Sequence, residues 1–215
     1  MRKQVWTTGR KWIGNLIPLP FFLGPVAYGL WLLFSTFHPD LRGNWWIGGG
    51  FVSGWLSLNL FGLTGNRKLR KELIKRFGEH KRLPHWFVGF ARPSYRSALD
   101  PHEDLGFLML HADELEFEGD SFRIALQKQD ITRIHFLPNT HSLLLLGRWI
   151  AIEGTVESKS VRMLIEPRER GTLIGNLFFG VKVKKEIEGW LKRNPPKSKS
   201  VPVTGMDEAG DHKQP

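Results

Sequence analysis

Two stretches decide how this chain is read: WIGNLIPLPFFLGPVAYGLWLLFSTF (Trp12–Phe37) and GNWWIGGGFVSGWLSLNLFGLTGN (Gly43–Asn66). Neither contains Asp, Glu, Lys or Arg. Each exceeds the roughly 20 residues that a helix needs to cross about 30 Å of hydrocarbon. The pattern predicts a membrane α-helical hairpin over 12–66, with a short external loop at 38–43. Pro18, Pro20 and Pro25 interrupt the first stretch. Proline lacks an N–H and clashes with the preceding turn, so the helix is expected to become regular only after Pro25. A kinked or re-entrant first segment is the alternative to full crossing. A cleaved signal peptide is disfavoured, because no small-x-small site follows the apolar run.

Charge sets the expected orientation. The chain has 215 residues and a formal net charge of +10. Arg2, Lys3, Arg10 and Lys11 precede the first stretch. Arg67, Lys68, Arg70, Lys71, Lys75, Arg76, Lys81 and Arg82 follow the second, while Asp40 and Arg42 are the only formal charges between them. Basic residues near spans stay on the cytoplasmic side. The expectation is a two-span protein of the cell membrane with both termini cytoplasmic, its basic run facing the anionic inner leaflet. No nucleic-acid reader motif accompanies that run, so nucleic acid is not an expected partner. In the second stretch Gly50 and Gly54, and Ser53 and Ser57, form small-xxx-small pairs. They suit packing of the two helices together or, alternatively, a homo-oligomer contact. Asn59 is the one strongly polar side chain deep in that stretch, expected as a helix contact.

The remainder reads as one small domain with flanking segments. A basic amphipathic connector spans 67–84. Leu69, Leu73, Ile74 and Phe77 recur at helical spacing and either lie on a lipid surface or pack on the next domain. From Trp86 the period becomes that of strands. Segments at Trp86–Ala91, Gly106–His111, Glu114–Phe117, Phe122–Gln127, Ile131–Phe136, Ser142–Gly147, Trp149–Gly154 and Val161–Glu166 predict about seven short, largely antiparallel strands. Val183, Ile187, Trp190 and Leu191 then mark a terminal amphipathic helix, Val181–Lys192. Thr172–Phe179 is apolar and glycine-rich, and the pattern leaves its state open. The domain spans 85–193, and 194–215 is a polar tail too poor in apolar residues to fold.

The run Leu105–Leu110, then Asp113, Leu115, Phe117 and Gly119, then Ile124, Leu126, Asp130, Ile131 and Ile134, resembles the opening strands of a pleckstrin-homology-like domain, closest to the bacterial, GRAM-like branch. The resemblance covers about Trp86–Lys192. It implies a seven-stranded antiparallel barrel closed by a C-terminal helix, serving as a binding or scaffold module without catalysis. Members that hold phosphoinositides cluster Lys and Arg in the first inter-strand loop. Here Arg92 and Arg96 are followed by Asp100, His102, Glu103 and Asp104, which departs from that pattern.

Candidate chemistry is sparse. Eight carboxylates and no cation lie between Asp100 and Asp120. Asp100, Glu103, Asp104, Glu114, Glu116 and Glu118 form a candidate interaction face, which is either a solvated hairpin surface or a dock for the basic connector or a basic partner. His102-Glu103-Asp104, with His111, His135 and His141, could hold a metal, but no H-E-x-x-H spacing occurs, so no metal or cofactor is expected. Without cysteine there is no disulfide, thiolate ligand or cysteine nucleophile. No phosphate-binding or nucleophile-elbow motif is present. The expectation is a membrane-tethered, non-catalytic interaction module with a protein partner. The alternatives are a membrane-bound enzyme with an acidic/His site near 100–104, or an accessory transporter subunit.

Overall fold

The computed structural model describes residues 4–10, 16–35, 42–63, 65–77, 85–93 and 102–193. The chain forms α1 (Leu19–Phe34), α2 (Arg42–Phe61), α3 (Asn66–Phe77), β1 (His85–Ala91), β2 (Asp104–Leu110), β3 (Glu114–Gly119), β4 (Arg123–Gln127), β5 (Ile131–Leu137), β6 (Trp149–Val156), β7 (Lys159–Pro167) and α4 (Leu173–Lys192). The tail expected beyond 193 lies outside the described residues.

The transmembrane hairpin is corrected. Helices α1 and α2 exist and pack on each other, but among the described residues no helix is long and apolar enough to cross a membrane. Two features of the sequence explain this. Pro18 and Pro20 hold the start of α1 at Leu19, leaving 16 residues, about 24 Å at 1.5 Å per residue. Helix α2 has 20 residues, but Gly43, Asn44, Gly48, Gly49, Gly50, Ser53, Gly54, Ser57 and Asn59 dilute its apolar content. The two-span placement in the cell membrane, with both termini cytoplasmic, loses its basis with the spans.

The small residues of α2 are used within the hairpin. A Cβ at Gly29 would overlap the backbone of Gly43, and one at Gly50 would press on Val26. Gly54 lies against Phe22, and Ser53 Oγ donates to Phe21 O at 2.6 Å. Ser57 is buried. Tyr28 meets Trp46 edge to face with centroids 5.0 Å apart. Gly65, at φ +90°, provides the left-handed turn that separates α2 from α3, a conformation costly for residues with a Cβ.

The strands form one antiparallel sheet in the order β4-β3-β2-β1-β7-β6-β5. It is open: β4 and β5 are its two edges, and no ladder joins them. The expected closed barrel is therefore corrected to an open sheet. Its edge strand β4 is only five residues long, and a 3-10 turn at Lys128–Asp130 leads straight on to the opposite edge. Helix α4 covers one face. Val183, Ile187 and Trp190 pack there on Val88, Phe90, Leu108, Phe117, Ile150 and Ile165, and Trp190 Nε1 donates to His111 O at 2.7 Å. Helix α3 and the N-terminal segment cover the other, with Trp6, Leu69 and Leu73 against Phe87, Leu105 and Phe107. A strand covered on both faces reads as continuously apolar rather than alternating, and β2 is buried at every position.

Helix α4 begins eight residues before the expected Val181. Thr172 is extended, and its hydroxyl accepts from Gly175 N at 3.2 Å, an N-cap that starts the helix at Leu173. The leucine run expected as a strand at Ser142–Gly147 is instead led by a 3-10 turn, Thr140–Leu144. Asn139 and Ser142 form a reciprocal capping box there, which outweighs the apolar character of the run.

Candidate functional site

The densest polar cluster lies on the sheet face covered by α3 and Trp6. Gly89 of β1 and Glu166 of β7 are register partners. A Cβ at Gly89 would overlap the His102 ring, so the glycine is what lets the imidazole lie on the strand. Glu166 points to the same face as Leu164, two residues back along the pleat. His102 Nε2 lies 2.9 Å from Glu166 Oε2. The other oxygen, Oε1, accepts from Asn139 Nδ2 at 3.0 Å and lies 3.4 Å from His141 Nδ1. The Trp149 ring meets the His102 ring at 5.4 Å, and Trp6 Nε1 donates to His102 O at 3.2 Å.

Electrostatics assign charges within this cluster. Burial opposes ionisation of Glu166, but contacts from His102 and His141 outweigh it and hold its carboxyl well below the usual range. Burial, reinforced by the Arg168 charge, draws His102 down to about 4, so it is neutral at pH 7. Burial lowers Arg168 to about 10, with Glu166 opposing, and it stays cationic. The Arg168 guanidinium lies 5.6 Å from the Trp6 ring centre. His102 is 4 % exposed and Glu166 5 %. The arrangement ties together four segments distant in sequence: the N-terminus, the entry to β2, the β5–β6 connection and the end of β7. His102, Asn139 and His141 converge on the one Glu166 carboxylate, while Arg168 Nε and Nη1 are buried without a hydrogen-bond partner among the described residues, and the cluster acts as a polar latch within the fold.

The predicted acidic face is divided by the structure. Asp104 is fully buried and accepts from the backbone N–H groups of Leu105 and Ser121, each at 2.8 Å. Burial raises its pKa, and these donors oppose that. Glu116 is buried between His111 Nε2, at 2.8 Å, and Arg123. Glu114 accepts from Gln127 at 3.1 Å, Glu103 pairs with Arg92 at 3.0 Å, and Glu118 lies opposite Arg123 in the β3–β4 ladder. Asp100 lies outside the described residues. His111, Glu114 and Glu116 are the one group among the described residues whose donor atoms lie close enough to share a metal ion, and Arg123 already engages Glu116.

The basic connector is likewise divided. Arg70 pairs with Glu169 at 3.3 Å and Arg76 with Asp120. Arg67, Lys68, Lys71 and Lys75 are exposed, and Lys81 and Arg82 lie outside the described residues. Asp120 also accepts from Val5 N and Trp6 N, each at 2.7 Å, so one carboxylate joins α3 to the N-terminal segment.

Sequence reasoning did not single out Glu166 or Arg168. One signal was available: Arg162, Glu166 and Arg168 fall on the same strand parity as Leu164, placing charge on a face that the neighbouring strands make apolar.

Among the described residues, many large apolar side chains on the hairpin are exposed. Trp31 is 59 % exposed, Phe34 82 %, Trp45 83 %, Phe51 57 % and Val52 60 %. No family model matches the chain, and no curated protein matches it.

Proposed function

We propose that this chain is a non-catalytic interaction module whose apolar two-helix arm, α1–α2, docks the helices of a partner protein. The carrying observation is the exposure of Trp31, Phe34, Trp45, Phe51 and Val52 on an arm with no formal charge from Gly43 to Phe61. Exposed apolar surface on this scale marks an interaction site, and exposed tryptophans are among the side chains that most often anchor protein interfaces. The charge-free stretch from Gly43 to Phe61 fits an apolar partner face without leaving a desolvated charge.

The sheet domain acts as the base of the arm. The foot of α2 is fixed to it: Trp55 Nε1 donates to Leu144 O at 2.8 Å, and Leu58 packs with Leu63, Leu146 and Leu173. The strand order and the terminal helix support the pleckstrin-homology-like resemblance for this base, as an open sheet. The burial of His102, Asp104 and Glu166 favours a fold role for the acidic/His region over an acid–base reaction at 100–104.

The test is substitution on the exposed arm. Trp45→Glu and Val52→Glu each place a charge on the face without touching the sheet domain. Each should shift the full chain, in native extracts, from a larger complex to a smaller species on size-exclusion chromatography. An unchanged elution position for both variants, or co-flotation of the wild-type chain with protein-free lipid vesicles, would overturn the proposal.

A further inference from the structure

An open cleft of about 400 Å³ lies between the end of β5, the turn after it and α4. That volume is in the usual range for small-molecule sites, roughly 300–1,000 Å³. Phe136, Leu137, Pro138, Leu145 and Leu177 form its apolar wall, and Arg148 supplies its cation. The Arg148 guanidinium lies over the Phe136 ring, 3.6 Å from the ring centre. Its Nε is buried without a hydrogen-bond acceptor, and no carboxylate pairs with Arg148 among the described residues.

The mouth of the cleft is unusual in two ways. Leu145 has φ 58° and ψ 25°, a left-handed conformation that a leucine rarely adopts. Its side chain is nevertheless 77 % exposed, so burial in this structure does not offset the strain. Phe178, beside Leu177 on α4, is 69 % exposed.

From these observations we infer that the cleft binds a small monoanionic amphiphile. The carboxylate or equivalent head group would meet Arg148, and the apolar chain would lie along Phe136, Leu137 and Leu177 beneath Leu145. A carboxylate forms a charge-assisted contact with Arg148, the cation that lines the cleft. The chain covers the exposed leucine that the strained turn holds over the opening. A cationic amphiphile would face Arg148 with like charge, and a neutral one would gain no charge pairing there.

Decanoate and 1-decanol, titrated into the full chain by calorimetry below their aggregation limits, separate head-group recognition from apolar partitioning. Decanoate should bind at least tenfold more tightly than decanol. Arg148→Met should weaken decanoate at least tenfold and leave decanol within about twofold. Leu145→Asp, at an exposed position that tolerates a polar residue, should weaken decanoate more than decanol by placing a like charge at the mouth. Leu177→Trp should abolish binding of both by filling the cleft. Unfolding midpoints of each variant establish that the fold is retained. Equal affinity for decanoate and decanol, no measurable binding of either, or decanoate binding unchanged in both Arg148→Met and Leu177→Trp would overturn the inference. The last result would place the ligand on the exposed arm instead.

Discussion

Asn59 Oδ1 accepts the backbone N–H of Ile174 at 2.9 Å, so the last turn of α2 caps the first turn of α4. The first N–H groups of a helix have no partner inside it. Here two side chains serve them, Thr172 from the chain just before α4 and Asn59 from more than a hundred residues away. The arm and the sheet domain therefore share a hydrogen bond at their junction.

Asn59→Ala should remove that acceptor at a site only 8 % exposed. The expected loss is about 1 kcal/mol, with the N–H of Ile174 left unsatisfied. Urea unfolding of the variant against wild type measures it. An unchanged midpoint would mean that Asn59 does not join the arm to the domain.

Acid should destabilise the protein through His102. Its pKa is lowered by burial to about 4, against about 6.5 for an unfolded histidine. Between those values the unfolded chain binds the proton and the folded chain does not, so stability falls as pH drops from 6.5 towards 4. The full difference is about 3 kcal/mol. Glu166, whose pKa is depressed, adds a further loss only below its unfolded value of about 4.3. Denaturant unfolding at pH 7, 5.5 and 4.5 should show the first decline, and His102→Phe should flatten the slope between pH 6.5 and 5 even if it lowers overall stability.

Much of the sheet was legible. Phe122, Ile124 and Leu126 alternate with polar neighbours, and β4 follows that alternation. Val183, Ile187 and Trp190 share one helical stripe, and α4 buries it. The latch was not legible, because Gly89, His102, His141 and Glu166 meet only through strand register and loop return. The hairpin differs from its expectation for another reason: the absence of formal charge over Gly43–Asn66 coexists with glycines, serines and asparagines that reduce its apolar content. The leucines at 143–146 misled in the same way, since the Asn139–Ser142 box decides the backbone there.

Glycine substitutions should separate close packing from open helix surface. Gly89→Ala forces a Cβ into the His102 ring and should cost at least about 2 kcal/mol, in the range of overpacked cores. Gly48→Ala and Gly49→Ala in α2 meet nothing within 4 Å and should each stabilise by roughly 0.5–1 kcal/mol through helix propensity. Thermal or urea unfolding of the three variants reads out both signs.

Trp6→Ala should release the N-terminal segment from the sheet. The ring is 7 % exposed, and its loss removes both the bond to His102 O and the cover over Arg168. The expected cost is about 3–5 kcal/mol. Hydrogen exchange should show faster exchange at Val5 and Trp6, whose N–H groups donate to Asp120.

Site-specific photo-crosslinking tests the docking arm most directly. A photoreactive phenylalanine placed in turn at Trp31, Phe34, Trp45 and Val52 should yield one discrete protein adduct from each arm position. The same residue at exposed Lys68 or Lys75 on α3 should yield none. Adducts formed equally from α3, adducts to lipid alone, or no adduct from any arm position would contradict the account.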